Sequence, residues 1–150
     1  MNEASGRLEK KFHFQHKFPP TKILWHPSES VTNPDILVTS GDILRLWQIE
    51  NNEEAVLKTC FTNSKKELTG PLTSFDWSCK NTDTVITCSI DTTCSIWDVN
   101  KEQLVKTLIA HDKEVFDVSF SPDPQIFATV GADGSLRNFD IRYATLKEEI

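Results

Sequence analysis

Short apolar runs recur along the chain, each broken after a few residues by polar or turn-forming positions. "TKILW", "DILVTS" and "ILRLWQI" come first. "LTSFDW", "TVITCS" and "CSIWDV" follow, then "VFDVSF", "QIFATVG" and "LRNFDI". The runs are rich in β-branched and aromatic residues. They lie between turn signals at Ser40-Gly41-Asp42, Asp91-Thr92-Thr93 and Asp133-Gly134. That combination predicts β-strands. No segment sustains a helical period, so an all-β fold is expected. Further runs, "AVLKTCF", "LVKTLIA" and "ATLKEEI", predict an outer strand closing each unit. "KKFHFQH" predicts the outer strand of a unit before the first.

The runs form a repeat. In each unit the first strand ends near an aromatic (Trp25, Trp77 or Phe120), and the second carries Thr39, Thr87 or Thr129. The third ends near Trp47, Trp97 or Phe139. First and last aromatics lie 22, 20 and 19 residues apart, and the last aromatics are separated by 50 and then 42. A period of roughly 40 to 45 residues with about three or four short strands per unit is the signature of WD-type propeller blades. The polar stretch "TNSKKELTG" holds the excess of the longer interval. The expected architecture is a WD-repeat β-propeller fragment of three four-stranded antiparallel blades. Residues 1–17 form the tail and the preceding outer strand. Blades are expected at 18–61, 62–110 and 111–150.

Both faces of a blade are packed, so polar side chains inside it need partners. WD blades can meet that need with a clip. An indole N–H on the third strand donates to a Ser or Thr on the second. That hydroxyl bonds a His from the loop leading into the blade, and an Asp in the turn fixes the His. Trp suits the role because it joins a large apolar body to one donor. The middle unit supplies Thr87, Asp91 and Trp97, with no His near Gly70-Pro71. The third supplies His111, Thr129, Asp133 and Phe139, and Phe cannot donate. The first offers Trp47, with Thr39 or Ser40 and His16, and its shorter turn puts Asp42 out of alignment. Asn138 stands where Leu46 and Ile96 stand in the other units. It requires either a partner or exposure.

Composition narrows the functional classes. A net charge of −6 with 25% charged residues opposes general phosphate binding and suits a globular chain. The N-terminus lacks an apolar stretch of signal-peptide length, and no run approaches membrane-spanning length. Cytoplasm and nucleus are the expected locations. Cys60, Cys79, Cys88 and Cys94 contain no CxxC spacing and read as reduced thiols, the inner ones as packing groups. No cofactor or metal is expected. An enzyme would need Cys94 or Thr92 as nucleophile and Asp91 or His111 as base. Nothing arranges an oxyanion hole, and Gly131-x-x-Gly134 reads as a turn with no helix after it to hold phosphate.

The strings "HKFPPTKILW", "LVTSGDILRLW", "PLTSFDW", "SIDTTCSIW", "LIAHDKEVFDVSF" and "VGADGSLRNFDIR" resemble one WD-repeat family over about residues 12 to 142. It comprises plant Transparent Testa Glabra and anthocyanin-regulating proteins and their animal cullin-ligase-associated counterparts. The resemblance implies a non-enzymatic scaffold docking kinases and transcription regulators, with cullin–RING ligase receptors among its animal members. It further implies that a ligase adaptor reads a blade ending in Trp/Phe-Asp-x-Arg, matched here by Phe139, Asp140 and Arg142. The middle unit ends "WDVN" and does not match. Arg142 also reads as a solvated end-of-strand charge. Asp112 and Lys113, with His111 and Glu114 beside them, are loop positions open to a partner; they also read as plain loop charges, and His111 reads first as a clip member.

Family members carry seven blades, and these strings resemble the second to fourth. Three blades leave two faces unburied, which predicts self-association through open edges or marginal stability. The alternative is a truncated paralogue with little independent function.

Overall fold

The computed structural model describes residues 9–27, 35–51, 54–62 and 70–143. Its strands form three antiparallel sheets in sequence order. The first blade comprises β1 (Lys22–Trp25), β2 (Asp35–Ser40), β3 (Leu44–Glu50) and β4 (Glu54–Phe61). The second comprises β5 (Leu72–Trp77), β6 (Thr84–Ser89), β7 (Thr93–Asp98) and β8 (Gln103–Ile109). The third contains β9 (Val115–Phe120), β10 (Ile126–Gly131) and β11 (Leu136–Asp140). Its expected outer strand, "ATLKEEI", lies outside the described residues. The fold is all-β and consistent with a β-propeller fragment.

Alternation along each strand sends side chains to two faces. In the first blade Leu24, Val38 and Leu46 stand opposite one another on a forward face. Trp25, Leu37 and Trp47 share the back face. The forward face of each blade packs on the back face of the next. Val38, Leu44, Leu46 and Phe61 of the first blade meet Phe75, Trp77, Val85 and Trp97 of the second. Ile86, Cys88, Cys94 and Ile96 then meet Val115, Val118 and Phe127 of the third. At both junctions the back face carries most of the aromatic side chains. Burial at about 25 cal/mol per Å² of apolar surface is the main force joining the blades.

Hydrogen bonds reinforce these junctions along the inner strands. Thr21 Oγ1 donates to the Leu72 carbonyl at 3.0 Å and Thr73 Oγ1 to that of Val115 at 2.5 Å. The backbone N–H of Phe120 donates to Asp76 at 2.7 Å. Lys22 Nζ donates to Ser74 Oγ at 3.2 Å, and Ser74 Oγ donates to Asp117 Oδ1 at 2.5 Å. That last chain uses one register position, three before the first aromatic, in all three blades. Asp117 keeps a low pKa: burial raises it, but the Ser74 hydroxyl and Lys22 outweigh burial.

One element departs from expectation. Residues 10–16 form no strand. Phe12 and Phe14 instead lie on Leu37, Trp47 and Ile49, covering part of the first blade's back face. Phe14 meets Trp47 at 4.6 Å between ring centroids. Alternating aromatics read as a strand in sequence. Among the described residues this segment has no ladder partner, so packing holds it without a ladder.

Candidate partner-docking site

The clips are the most polar feature of the blade interiors. In the first blade Trp47 Nε1 donates to Thr39 Oγ1 at 2.8 Å, and His16 Nε2 lies 3.0 Å from the same hydroxyl. The spacing of Thr39 and Trp47 across a short hairpin makes this possible. Asp42 takes no part. Arg45 holds it with two hydrogen bonds, at 2.6 and 3.0 Å, and keeps its carboxyl below the usual range. His16 Nδ1 is consequently buried without a hydrogen-bond partner. Burial, aided by Arg45, lowers the His16 pKa, which favours neutral imidazole.

In the second blade Trp97 Nε1 donates to Thr87 Oγ1 at 3.0 Å. Asp91 sits at the turn without a histidine. Instead it accepts from the Gly70 N–H at 3.3 Å and from Thr93, backbone at 3.1 Å and hydroxyl at 2.5 Å. Burial raises the Asp91 pKa, but these bonds outweigh it and the net shift is downward. A Cβ on Gly70 would lie 2.8 Å from Ile90 Cγ1 and 3.0 Å from Ser89 Oγ.

The third blade holds the complete polar half of a clip. His111 is fully buried, with Nδ1 2.9 Å from Asp133 Oδ1 and Nε2 2.8 Å from Thr129 Oγ1. The Ser135 hydroxyl donates to Asp133 at 2.7 Å and is the main reason its pKa is well below the carboxylate range. Phe139 fills the aromatic position and stacks on Phe127 at 5.3 Å. Asp133, His111 and Thr129 are arranged like a hydrolytic triad. Thr129, however, is buried, with 1% exposure, so no substrate reaches it.

Cys94 offers no better nucleophile. It is buried opposite Cys88, and burial pushes both thiols up, Cys88 to about 11. That disfavours the reactive thiolate.

The exposed chemistry lies at the two ends of the third blade. At one end Asp112 and Lys113 are exposed in the loop after His111. Arg137 ties Asp112 to Asp133, at 2.5 and 3.1 Å, and donates to the Ala110 carbonyl at 3.1 Å. Sequence reasoning missed Arg137. Arg45 stands in the matching place, two before the blade's last aromatic, and each arginine grips its own turn aspartate. That repetition was the available signal. At the other end Arg142 donates to both oxygens of Asp140 and lies over the Tyr143 ring at 5.5 Å. The pairing lowers the Asp140 pKa and raises that of Arg142. The Arg142 side chain is 54% exposed. In the second blade the corresponding Asp98 pairs with Lys101.

The WD domain, G-beta repeat, family matches residues 59–98 and 102–140. The chain belongs to the WD-repeat family. Each matched stretch begins in or near the outer strand of one blade and ends with the third strand of the next. The sequence repeat is therefore offset from the structural blade by about one strand. Similar proteins include a DDB1- and CUL4-associated factor 7 homolog of Dictyostelium discoideum, 47% identical over 95% of this chain and 44% of that protein. An uncharacterized WD repeat-containing protein of Schizosaccharomyces pombe is 40% identical over 84% of this chain and 31% of its own length. A WD repeat-containing protein of Saccharomyces cerevisiae is 41% identical, over 83% and 27% respectively. The chain spans less than half the length of these WD-repeat relatives.

Proposed function

We propose that this WD-repeat chain is a non-enzymatic adaptor that docks protein partners and serves as a substrate receptor of a cullin–RING ubiquitin ligase. The observation that carries the reading is the Asp140–Arg142 pair at the end of the third blade. It forms a half-exposed, pre-oriented guanidinium directly after β11. A planar fork of donors held by one carboxylate presents its remaining N–H groups in a fixed direction. The similar Dictyostelium protein bears the name of a DDB1- and CUL4-associated factor, which points the same way. Protein kinases and transcription regulators are the proposed cargo. Asp112 and Lys113 are their proposed contacts at the opposite end of the blade. The proposed setting is the cytoplasm and nucleus.

The test is affinity capture of the tagged chain from cells, comparing wild type with Arg142→Ala. Loss of the ligase adaptor with retention of other partners is the expected result. Equal adaptor recovery from both removes the ligase reading.

A further inference from the structure

The β6–β7 hairpin holds two cysteines at facing positions. Cys88 and Cys94 are register partners, fully buried, and both lie on the second blade's forward face with Ile96. The other cysteines, Cys60 and Cys79, are exposed and lie outside this hairpin. At the matching pair of the third blade stand Val130 and Leu136, which can only pack.

The turn decides what kind of pair this is. In the third blade the Gly134 N–H donates to the Gly131 carbonyl at 3.1 Å, and the Gly131 N–H donates to the Ser135 carbonyl at 3.3 Å. Thr92, with φ 75°, occupies the place of Gly134, with φ 78°. The second blade's turn therefore closes the same way, between Ser89 and Thr93. Hydrogen-bonded and non-hydrogen-bonded pairs alternate along antiparallel strands, so the next pair, Cys88 and Cys94, is non-hydrogen-bonded. Such pairs bring side chains closest, with Cα atoms about 4.5 Å apart, inside the range of about 4.4–6.8 Å that a disulfide spans. The Cys88 thiol now lies 3.3 Å from Thr73 Oγ1 and 3.6 Å from the Ser74 carbonyl. Both are weak contacts for sulfur. Thr73 Oγ1 also donates to the Val115 carbonyl at 2.5 Å, a bond it keeps when Cys88 turns away.

We infer that Cys88 and Cys94 close into a cross-strand disulfide when the folded chain meets a small-molecule disulfide, which makes the second blade redox-sensitive. Burial keeps both thiols protonated in the closed hairpin, so the reaction starts when the hairpin end opens locally. One cysteine, as thiolate, attacks the small disulfide, breaks its S–S bond and expels one thiolate, leaving a mixed disulfide. The second cysteine's thiolate then attacks the protein sulfur of that mixed disulfide and expels the other. Two protein thiols are oxidised, the small disulfide is reduced to two thiols, and the protons that the cysteines lose end on them. The hairpin end also anchors the loop of Asp112 and Lys113. The Thr92 carbonyl accepts there from the Ala110 and His111 N–H groups, at 2.9 and 3.3 Å. The new bond stiffens that anchor.

The test is a redox titration of the full chain carrying Cys60→Ser and Cys79→Ser, with oxidised and reduced glutathione as the probe. Both substituted residues are exposed, and circular dichroism checks the fold. Should that background unfold, the wild-type chain gives the same readout. Samples are acid-quenched, unfolded and alkylated. Mass spectrometry then reads the tryptic peptide of residues 81–101, which holds both Cys88 and Cys94. From the oxidised folded chain it is expected about 2 Da light and unalkylated, and after reduction doubly alkylated. The same titration in urea is the reference for the unfolded chain. The folded hairpin is expected to favour the disulfide about tenfold more strongly, because it holds the two thiols at a higher effective concentration. Two alkylated cysteines at every glutathione ratio overturn the inference. So do glutathione adducts in place of the internal bond, or a disulfide no more favoured in the folded chain than in urea.

Discussion

In the first blade the imidazole lacks a carboxylate, and in the third it lacks an indole. His16 reaches Thr39, and Thr39 receives Trp47, but Asp42 has turned to Arg45. His111 has Asp133 on one nitrogen and Thr129 on the other, and the aromatic beyond is Phe139. The difference traces to turn length. Asp133 lies four residues after Thr129, whereas Asp42 lies only three after Thr39 and is within reach of Arg45. A buried imidazole with both nitrogens bonded is a fixed strut. One with an orphan nitrogen is held mainly by packing, here by Phe14 at 6.0 Å and Trp47 at 5.3 Å. The third blade therefore depends on its polar network and the first on its aromatic cluster.

Removing the strut is the largest expected effect. His111→Leu leaves Thr129 buried without its main partner and frees Asp133 from the blade interior. A stranded buried group costs about 1–3 kcal/mol, and a connected network places this change toward the upper end. Urea unfolding is expected to show about 2–3 kcal/mol lost. The corresponding His16→Leu change, which strands only Thr39 and leaves that hydroxyl its indole donor, is expected to cost less than half as much. Equal losses would remove the contrast between the two blades.

The indole side of the comparison comes next. Trp47→Phe makes the first clip resemble the third, at the cost of one hydrogen bond worth about 1 kcal/mol. Phe139→Trp supplies the third blade's missing donor toward Thr129, whose hydroxyl otherwise has the Arg137 carbonyl at 3.5 Å as its acceptor. The expected outcome is a loss for the first substitution and a smaller gain for the second, measured by the same unfolding curves. A gain for Trp47→Phe would show that the indole N–H adds nothing in this setting.

Turn geometry gives a smaller effect between the second and third blades. Gly134 has φ 78° and Thr92 has φ 75° at the matching turn. A β-branched residue pays about 1–2 kcal/mol in that left-handed region, and Gly returns part of the gain as unfolded-state entropy. Thr92→Gly is expected to stabilise the chain by about 0.5–1 kcal/mol. The Thr92 carbonyl accepts from the Ala110 and His111 N–H groups, and the new backbone freedom must not break those bonds. Unchanged or lowered stability would indicate that it does.

These contrasts also show what a sequence can disclose. The strands were legible because alternation and turn residues agree, and so were the pairs Thr39–Trp47 and Thr87–Trp97, since an even spacing across a hairpin returns both residues to one face. The packing role of Cys88 and Cys94 follows from the same parity: both fall on Ile96's face. Asn138 left two readings open, and it is exposed on the forward face of this chain. Contacts between blades were not legible. The chain from Lys22 through Ser74 to Asp117 joins residues 52 and 43 positions apart, and no local pattern marks them. Nor could sequence show that Arg45 would draw Asp42 away, or that Asp91 would be held by the Gly70 N–H and Thr93 in the second blade. Those outcomes depend on which of several short-range donors reaches a carboxylate first.

The smallest expected effect is a pH dependence arising in the first blade. Burial lowers the pKa of both His16 and His26 below 6.5. A histidine whose folded pKa is depressed binds fewer protons folded than unfolded. Stability therefore rises with pH across the interval between the folded value and 6.5, and falls as the solution is acidified through it. The carboxylates act lower. Asp133, Asp91 and Asp42 are all depressed, so their contribution is full above the ordinary carboxylate range and is lost only below it. Melting temperature is expected to fall as the pH drops below about 6.5 in wild type. His16→Gln should flatten part of that slope, and His26→Gln the remainder. Gln keeps a polar group near Thr39 but takes up no proton, which isolates titration from loss of the hydrogen bond. A wild-type slope that persists in the double variant would place the acid sensitivity elsewhere and leave the orphan nitrogen of His16 without a thermodynamic signature.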